Sequence, residues 1–411
     1  MSNIPEDRPG ITRRTLLLAG ASVGGALAAA RAEAPAGQSP APSRLDALGM
    51  KRIINAAGTF TALGGSLMPP EVVEAWLDAS RRFVDVPDLQ ERVGQRIAAL
   101  VGVEAALVTT GAAAAMCLGT AAAVTRGLPD RIARLPETDG LPNEVIKQRA
   151  HRSCYDRQVA ACGVRIVEID TRAELEQAMS DRTAMMLFYN FMELDGQIRR
   201  AEWVEIAKKH SVPTLLDAAA DVPPAEALSQ YCRMGFDLVA FSGGKALRGP
   251  QDTGLLLGRR DLVEAARLNS SPRCGAIGRM LKVGKENLMA ILAAVERYVR
   301  LDHAAEWREW ERRLGVIEAA VGGIPSVTTE RIVPAIANHV PHVIVHWDEA
   351  RVRITREQAT KVLAAGEPSI RLGRVAGTGD RGLLVSVFQL EPGEVDVVAG
   401  RLRDVLRGAV A

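Results

Sequence analysis

The chain has 411 residues, 47% of them hydrophobic and 24% charged, which supplies a large core with material for a second, smaller one and excludes a disordered polypeptide. Its 51 basic and 49 acidic residues nearly cancel to +2, so the broad basic surface that nucleic-acid binding needs is absent and small-molecule chemistry is the better expectation. The five cysteines, Cys117, Cys154, Cys162, Cys232 and Cys274, are odd in number and scattered, so they predict neither a disulfide framework nor a metal site, although a Cys154–Cys162 bridge stays open.

In chain order, residues 1–34 read as a targeting segment. Arg13 and Arg14 precede a mild apolar run, 16–30, that is too short to span a bilayer comfortably, and Ala30-Arg31-Ala32 offers a small-residue cleavage site. The arrangement resembles a twin-arginine export signal, which predicts passage through the twin-arginine machinery to the periplasm and no stable membrane insertion after cleavage. Residues 35–47 are a linker containing Pro and Ser. The body then opens with a short strand and turn over 51–59 and helices over 70–83 and 89–101.

From residue 105 the pattern alternates. Strands are predicted at 105–109, 145–149, 164–169, 184–189, 214–217, 236–241 and 253–259, with helices at 112–124, 155–162, 172–179 and 201–210 between the earlier ones. Such alternation implies an α/β fold with a mostly parallel sheet and helices on both faces, in which ligands sit at the carboxyl ends of the strands. A long helix over 281–302 follows. Beyond about residue 306, a helix, four strands and a closing helix over 392–406 predict a small α+β domain with a mainly antiparallel sheet.

Three stretches carry chemistry. In Phe241-Ser-Gly-Gly-Lys245, a lysine stands in a glycine turn after an apolar strand, where apolar surroundings lower its pKa and suit it to form a Schiff base. Leu215-Leu-Asp217 ends a strand on a carboxylate that can pair with a protonated pyridine nitrogen, followed by small residues that admit a flat ring. Val108-Thr-Thr-Gly-Ala-Ala113 runs from a strand into an alanine-rich helix, leaving the amides of Thr110, Gly111, Ala112 and Ala113 open to a phosphate. Together they predict pyridoxal 5'-phosphate (PLP) as cofactor.

With Ile54-Asn-Ala-Ala-Gly-Thr59, His151-Arg-Ser-Cys-Tyr-Asp156, Asp217-Ala-Ala219, Ser242-Gly-Gly-Lys245 and Arg279 to Glu286 also in order, residues 48–408 resemble a fold-type I PLP enzyme of the group that holds bacterial selenocysteine synthase and D-glucosaminate ammonia-lyases. The resemblance implies a large PLP domain with a seven-stranded sheet over 48–280, a connecting helix over 281–305 and a small domain over 306–411. It also implies a homodimer or higher homo-oligomer. Lys245 would carry the cofactor and move the Cα proton, Asp217 would face the ring nitrogen, and His151 and Ala219 would flank the ring. Ser242 would join the amides of Gly111 and Ala112 at the phosphate. Asn190 would lie near the ring hydroxyl, although Tyr189-Asn-Phe-Met-Glu193 departs from the usual Asn-X-Thr-Gly pattern.

For the substrate carboxylate the first choice is Arg371 and the second Arg374, because a planar guanidinium binds both oxygens, while Arg279 and Lys282 would add positive charge near an anionic group. The implied reaction is a lyase acting on a hydroxylated or sugar-derived amino acid, with Cα deprotonation and β-elimination to a 2-oxo acid and ammonia. A racemase or aminotransferase remains open, and so does a tRNA-dependent transferase, which the charge balance and the export signal oppose. The signal itself is testable. Replacing Arg13 and Arg14 by Lys should retain the protein in the cytoplasm, because lysine lacks the fixed guanidinium fork; periplasmic fractionation that finds the double variant exported as before removes the assignment.

Overall fold

The computed structural model describes residues 43–373 and 382–410, so the export-signal residues, the linker up to residue 42 and Arg374 lie outside the described residues. Up to Met50 the description holds one short helix, Arg44–Ala47, begun by a Ser43 capping box with Asp46. The body from Lys51 onward contains strands β1 (Ile53–Ala56), β2 (Ala105–Thr109), β3 (Glu144–Gln148), β4 (Arg165–Ile169), β5 (Thr183–Tyr189) and β6 (Thr214–Asp217). It continues with β7 (Leu238–Ser242), β8 (Gly254–Gly258), β9 (Val327–Ile332), β10 (His342–Trp347), β11 (Ser369–Leu372) and β12 (Leu383–Ser386).

Seven strands form the large sheet in the order β2-β8-β7-β6-β5-β3-β4, the number expected of the resemblance. β4, β3, β5, β6 and β7 run parallel to one another, and β8 pairs antiparallel with both β7 and β2. The central strands β5 to β8 are largely apolar because both faces of the sheet are covered there. Successive residues of β6 and β7 alternate between two cores: Leu216, Val239 and Phe241 enter one, against the helices Val86–Val101, Arg200–Lys209 and Lys285–Arg300, while Leu215, Leu238 and Ala240 enter the other, against the helices Gly111–Thr125 and Arg260–Leu268. The helix Gly111–Thr125 is buried on every side from Ala114 on, which is why its residues are small or apolar rather than amphipathic.

The last third builds a second core. β12, β10 and β9 form an antiparallel sheet in that order, covered on one face by the helices His303–Val321 and Glu394–Arg407. β1, expected with the large domain, instead pairs parallel with β11, and its Ile54 and Ala56 pack among Leu314, Ile370 and Val385. A four-residue strand carries no signal of its partner in its own sequence, and only the fold brings residues 53 and 369 together. The long helix starts later than predicted, at Lys285, because Gly284 holds the extended N-cap conformation.

One register decides the shape of the site. Thr109 of β2 pairs with Gly254 of β8, and Gly254 pairs with Ser242 of β7, so the start of the helix Gly111–Thr125 and the lysine turn leave the same edge of the sheet side by side. A Cβ on Gly254 would collide with the Gly111 carbonyl and the Ala112 amide. Gly254→Ala should therefore destabilise the fold by about 1–3 kcal/mol and push the helix start away from the lysine turn. Urea denaturation checks the first effect, and an unchanged unfolding midpoint would contradict this close approach.

Candidate active site at the carboxyl edge of the large sheet

The residues that carry chemistry converge where β3, β5, β6 and β7 end. The turn that holds Lys245 is tied by its own backbone: Gly243 N–H donates to Thr253 O (2.8 Å), Gly249 N–H to Gly243 O (2.9 Å) and Arg248 N–H to Lys245 O (3.0 Å). A Cβ on Gly244 would run into the Gln251 backbone, so glycine is required there for packing rather than for φ. Burial pushes the Lys245 ammonium below its ordinary value, and the carboxylates of Asp217 and Asp221 oppose that shift. At the end of the neighbouring β6, Asp217 is buried, and its Oδ1 accepts the Ala219 amide at 3.0 Å. Burial raises its pKa, while that amide and Lys245 pull it back.

Asp221, absent from the sequence-based site, lies beside this pair. It is buried, and it accepts hydrogen bonds from the Asn190 amide and the Tyr231 hydroxyl. Asn190 is committed to that carboxylate: its Nδ2 also reaches Tyr231 Oη at 2.9 Å, and its Oδ1 accepts from Arg200 Nη1 at 2.6 Å. Arg200 in turn lies over the Tyr231 ring, 5.6 Å from its centre. Asp221 follows three alanines without any motif, and its partners come from distant segments, so the chain offered no local signal for it.

His151 ends the 3₁₀ turn Arg149–His151 that follows β3. Its ring is fully buried, edge-on to Phe188 at 4.6 Å, and its backbone carbonyl accepts from Lys147 Nζ at 3.2 Å. Lys147 is itself fully buried and held by Asp156 at 2.6 Å. Burial lowers the His151 pKa to about 4, with the Met192 carbonyl and Asp195 only partly offsetting it, so the ring is neutral at pH 7. Its Nδ1 has no hydrogen-bond partner among the described residues.

Thr110 occupies the N-cap of the helix Gly111–Thr125, yet its side chain caps nothing and its Oγ1 is buried without a partner. Gly111, at φ +78°, has open space where a side chain would stand. Ala112 and Ala113 follow, half-buried, as does Ser242 across the strand row. An orphaned hydroxyl, an open helix N-terminus, an orphaned ring nitrogen and a half-buried lysine beside a buried carboxylate fit PLP, whose phosphate, ring and aldehyde need those partners. The remaining candidates are exposed to solvent. Arg371 is exposed on β11 opposite Asn55, and Arg279 and Lys282 are exposed on the segment before Gly284; none forms an ion pair among the described residues.

Asp221 gives the site a pH signature. Burial lifts its carboxyl from 3.8 to about 6. In that window the folded chain keeps a proton the unfolded chain has lost, so this group's contribution to stability falls as pH rises, by on the order of 3 kcal/mol in all. Asp221→Asn removes the ionisation. Its stability relative to the wild type should climb between pH 4 and pH 7 in urea titrations, and a difference that stays flat across that range would mean Asp221 carries no desolvated charge.

The chain matches the family model "SelA: L-seryl-tRNA selenium transferase" over residues 157–309. It is 28% identical to a D-glucosaminate-6-phosphate ammonia lyase of Salmonella typhimurium, over 90% of this chain and 99% of that one. It is 32% identical to a 5'-C-glycyluridine monooxygenase-decarboxylase of a Streptomyces species, over 79% and 82%. A solved D-glucosaminate-6-phosphate ammonia-lyase superposes with a TM-score of 0.78 at 26% identity, over 90% of this chain and 99% of that chain. A serine palmitoyltransferase with PLP superposes at 0.56 and 15% identity, over 87% and 88%, a likeness of fold alone. On the strength of the match that runs through most of both chains, this chain belongs to the SelA family of fold-type I, PLP-dependent enzymes.

Proposed function

We propose that the chain is a lyase that removes the Cα proton from a hydroxylated, sugar-derived amino acid and expels the β-hydroxyl, releasing a 2-oxo acid and ammonia. The observation that carries this reading is the burial of Lys245 beside Asp217 at the strand ends, one row from an open helix N-terminus. In support, the relatives that cover most of the chain are named for a D-glucosaminate phosphate and for a glycyluridine.

The residues divide the work. The amides of Thr110, Gly111, Ala112 and Ala113, with the Ser242 hydroxyl, would hold the phosphate. Lys245 would hold the cofactor covalently, Asp217 would pair with its pyridine nitrogen, and Ala219 and the neutral His151 would flank the ring. Asn190 acts through Asp221, keeping that carboxylate in place beside Lys245. When bound, PLP supplies an electron sink for the carbanion at Cα. Once the substrate amine has displaced it, Lys245 Nζ accepts the Cα proton: burial favours its free amine before the step, and Asp217 and Asp221 stabilise its ammonium afterwards. The same ammonium hands a proton to the departing β-hydroxyl, so water leaves, and a second water later releases ammonia. Arg371 binds the substrate carboxylate. Exposed Leu67, Met68, Trp76, Phe83 and Met280 support a homodimer, with Arg279 and Lys282 turned to an anionic group at the subunit junction. The paired Arg13 and Arg14 before an apolar run support export to the periplasm.

Protein incubated with PLP and then reduced with borohydride should carry the cofactor on the Lys245 peptide by mass spectrometry, and Lys245→Ala should not. In cofactor-saturated enzyme, Asp217→Ala should slow solvent deuterium exchange at Cα of a hydroxy amino acid by about 100-fold or more. Exchange at the wild-type rate, or racemisation or amino transfer in place of ammonia release, would displace the lyase reading.

A further inference from the structure

The three-stranded sheet has one face that the second core does not use. Along β10 and β12, Val343, Val345, Leu383 and Val385 enter that core, so the alternation of strand side chains sends His342, Ile344, Leu384 and Ser386 to the opposite face. His342 and Ser386 are direct antiparallel partners, which places their side chains about 5 Å apart at Cβ. Both are buried, at 2% and 0% exposure. Among the described residues neither ring nitrogen of His342 nor the Ser386 hydroxyl makes a well-formed hydrogen bond, the nearest acceptor to the ring being the Asn338 carbonyl. Buried polar groups are nearly always paired, and three orphaned atoms on two adjoining residues are a departure that calls for an explanation.

Two connections lead from this face to the lysine. Gly58, at φ +113°, lies against it: a Cβ there would sit 3.7 Å from the Phe388 ring and 4.0 Å from Ser386 Oγ. The segment that begins at Gly58 runs to the lysine turn, where Gln251 Nε2 donates to Thr61 O (2.7 Å) and Ser66 Oγ to Gly244 O (3.0 Å). From the other side, Asn338 N–H, in the loop entering β10, donates to Ala220 O at 2.6 Å, next to Asp221. The orphaned pair therefore stands between the segments that border the site on both sides.

We infer that His342 and Ser386 form a subsite for the uncharged hydroxyl groups on the tail of the amino-acid substrate, an inference that rests on the lyase reading above. The chemistry of the pair selects such a ligand. Burial lowers the His342 pKa to about 4, and the Asn338 carbonyl offsets this only in part, so the ring is neutral at pH 7 and offers one N–H and one lone pair. Among the described residues no charged side chain contributes to that shift. With Ser386, which both donates and accepts, the pair matches a hydroxyl or a vicinal diol and has no cation for a phosphate.

The test uses D-gluconate, which has the hydroxylated tail but no amino group to react, with D-lactate as the tail-less control and 6-phospho-D-gluconate as the charged one. By calorimetry on the PLP-loaded full chain, gluconate should bind at least about tenfold more tightly than lactate. Ser386→Ala and His342→Leu should each remove most of that preference, and His342→Gln, which keeps a donor and an acceptor, should retain part of it. Without ligand, Ser386→Ala should melt at or a few degrees above the wild type, because it deletes an unpaired buried hydroxyl. If His342→Leu does not fold, Ser386→Ala decides. Gluconate binding no tighter than lactate, variants that bind gluconate as the wild type does, or a tenfold preference for the phosphorylated acid would each overturn the subsite. Failure of the lyase reading looks different: the wild type would release no ammonia from serine or any longer hydroxy amino acid, whatever it binds.

Discussion

The site depends on holding a lysine and a carboxylate together out of water. Burial opposes the charged form of each, lowering the affinity of Lys245 for its proton and raising that of Asp217, and each is the other's compensation. In water the same pair would be worth little; at the dry edge of the sheet their attraction is several times stronger. The fold keeps them there by rigid means. Asp217 ends a parallel strand buried between two neighbours, and the lysine turn is closed by its own amides.

Around this pair the charge is graded. Asp221 adds a second negative group on the Lys245 side, positioned by Asn190, Tyr231 and Arg200 from three different elements. On the side of β3 stands a neutral histidine, its carbonyl bonded by Lys147, whose own charge is absorbed by Asp156. A neutral imidazole can lie near a cofactor ring without competing with Asp217 for its nitrogen, which gives a physical purpose to burying His151 so completely. His342 is kept neutral by the same means on the opposite face of the three-stranded sheet. Both histidines would charge between about pH 6.5 and pH 4, so stability from them is lost as pH falls through that range, opposite in sign to Asp221.

Much of this was legible in the residues. Apolar runs of strand length separated by amphipathic helices determined the parallel sheet, because a strand buried on both faces is apolar along most of its length, as β5 to β8 are. The lysine turn, the strand-ending Asp217 and the small-residue helix start at Gly111 were readable because each needs a local pattern, a glycine or a short side chain, that leaves a mark on neighbouring positions. The helices Arg260–Leu268 and Arg356–Ala365 escaped notice although their apolar spacing was present, the one between two glycine-flanked segments and the other inside a region read as strands.

What the sequence by itself determined is the set of local shapes and the cofactor they accommodate. Only the tertiary structure decided which orphans face which neighbours. β1 joined the second core because its partner lies at residues 369–372, and nothing in four residues specifies a contact so distant in the chain. Asp221 became part of the site because Asn190, Arg200 and Tyr231 converge on it, and His342 and Ser386 became a pair because an antiparallel register set them opposite each other with nothing else to bind. Propensity and patterning act over a few residues, whereas desolvation and hydrogen-bond partnership depend on everything within a few ångströms, and the chain assembles that neighbourhood only by folding.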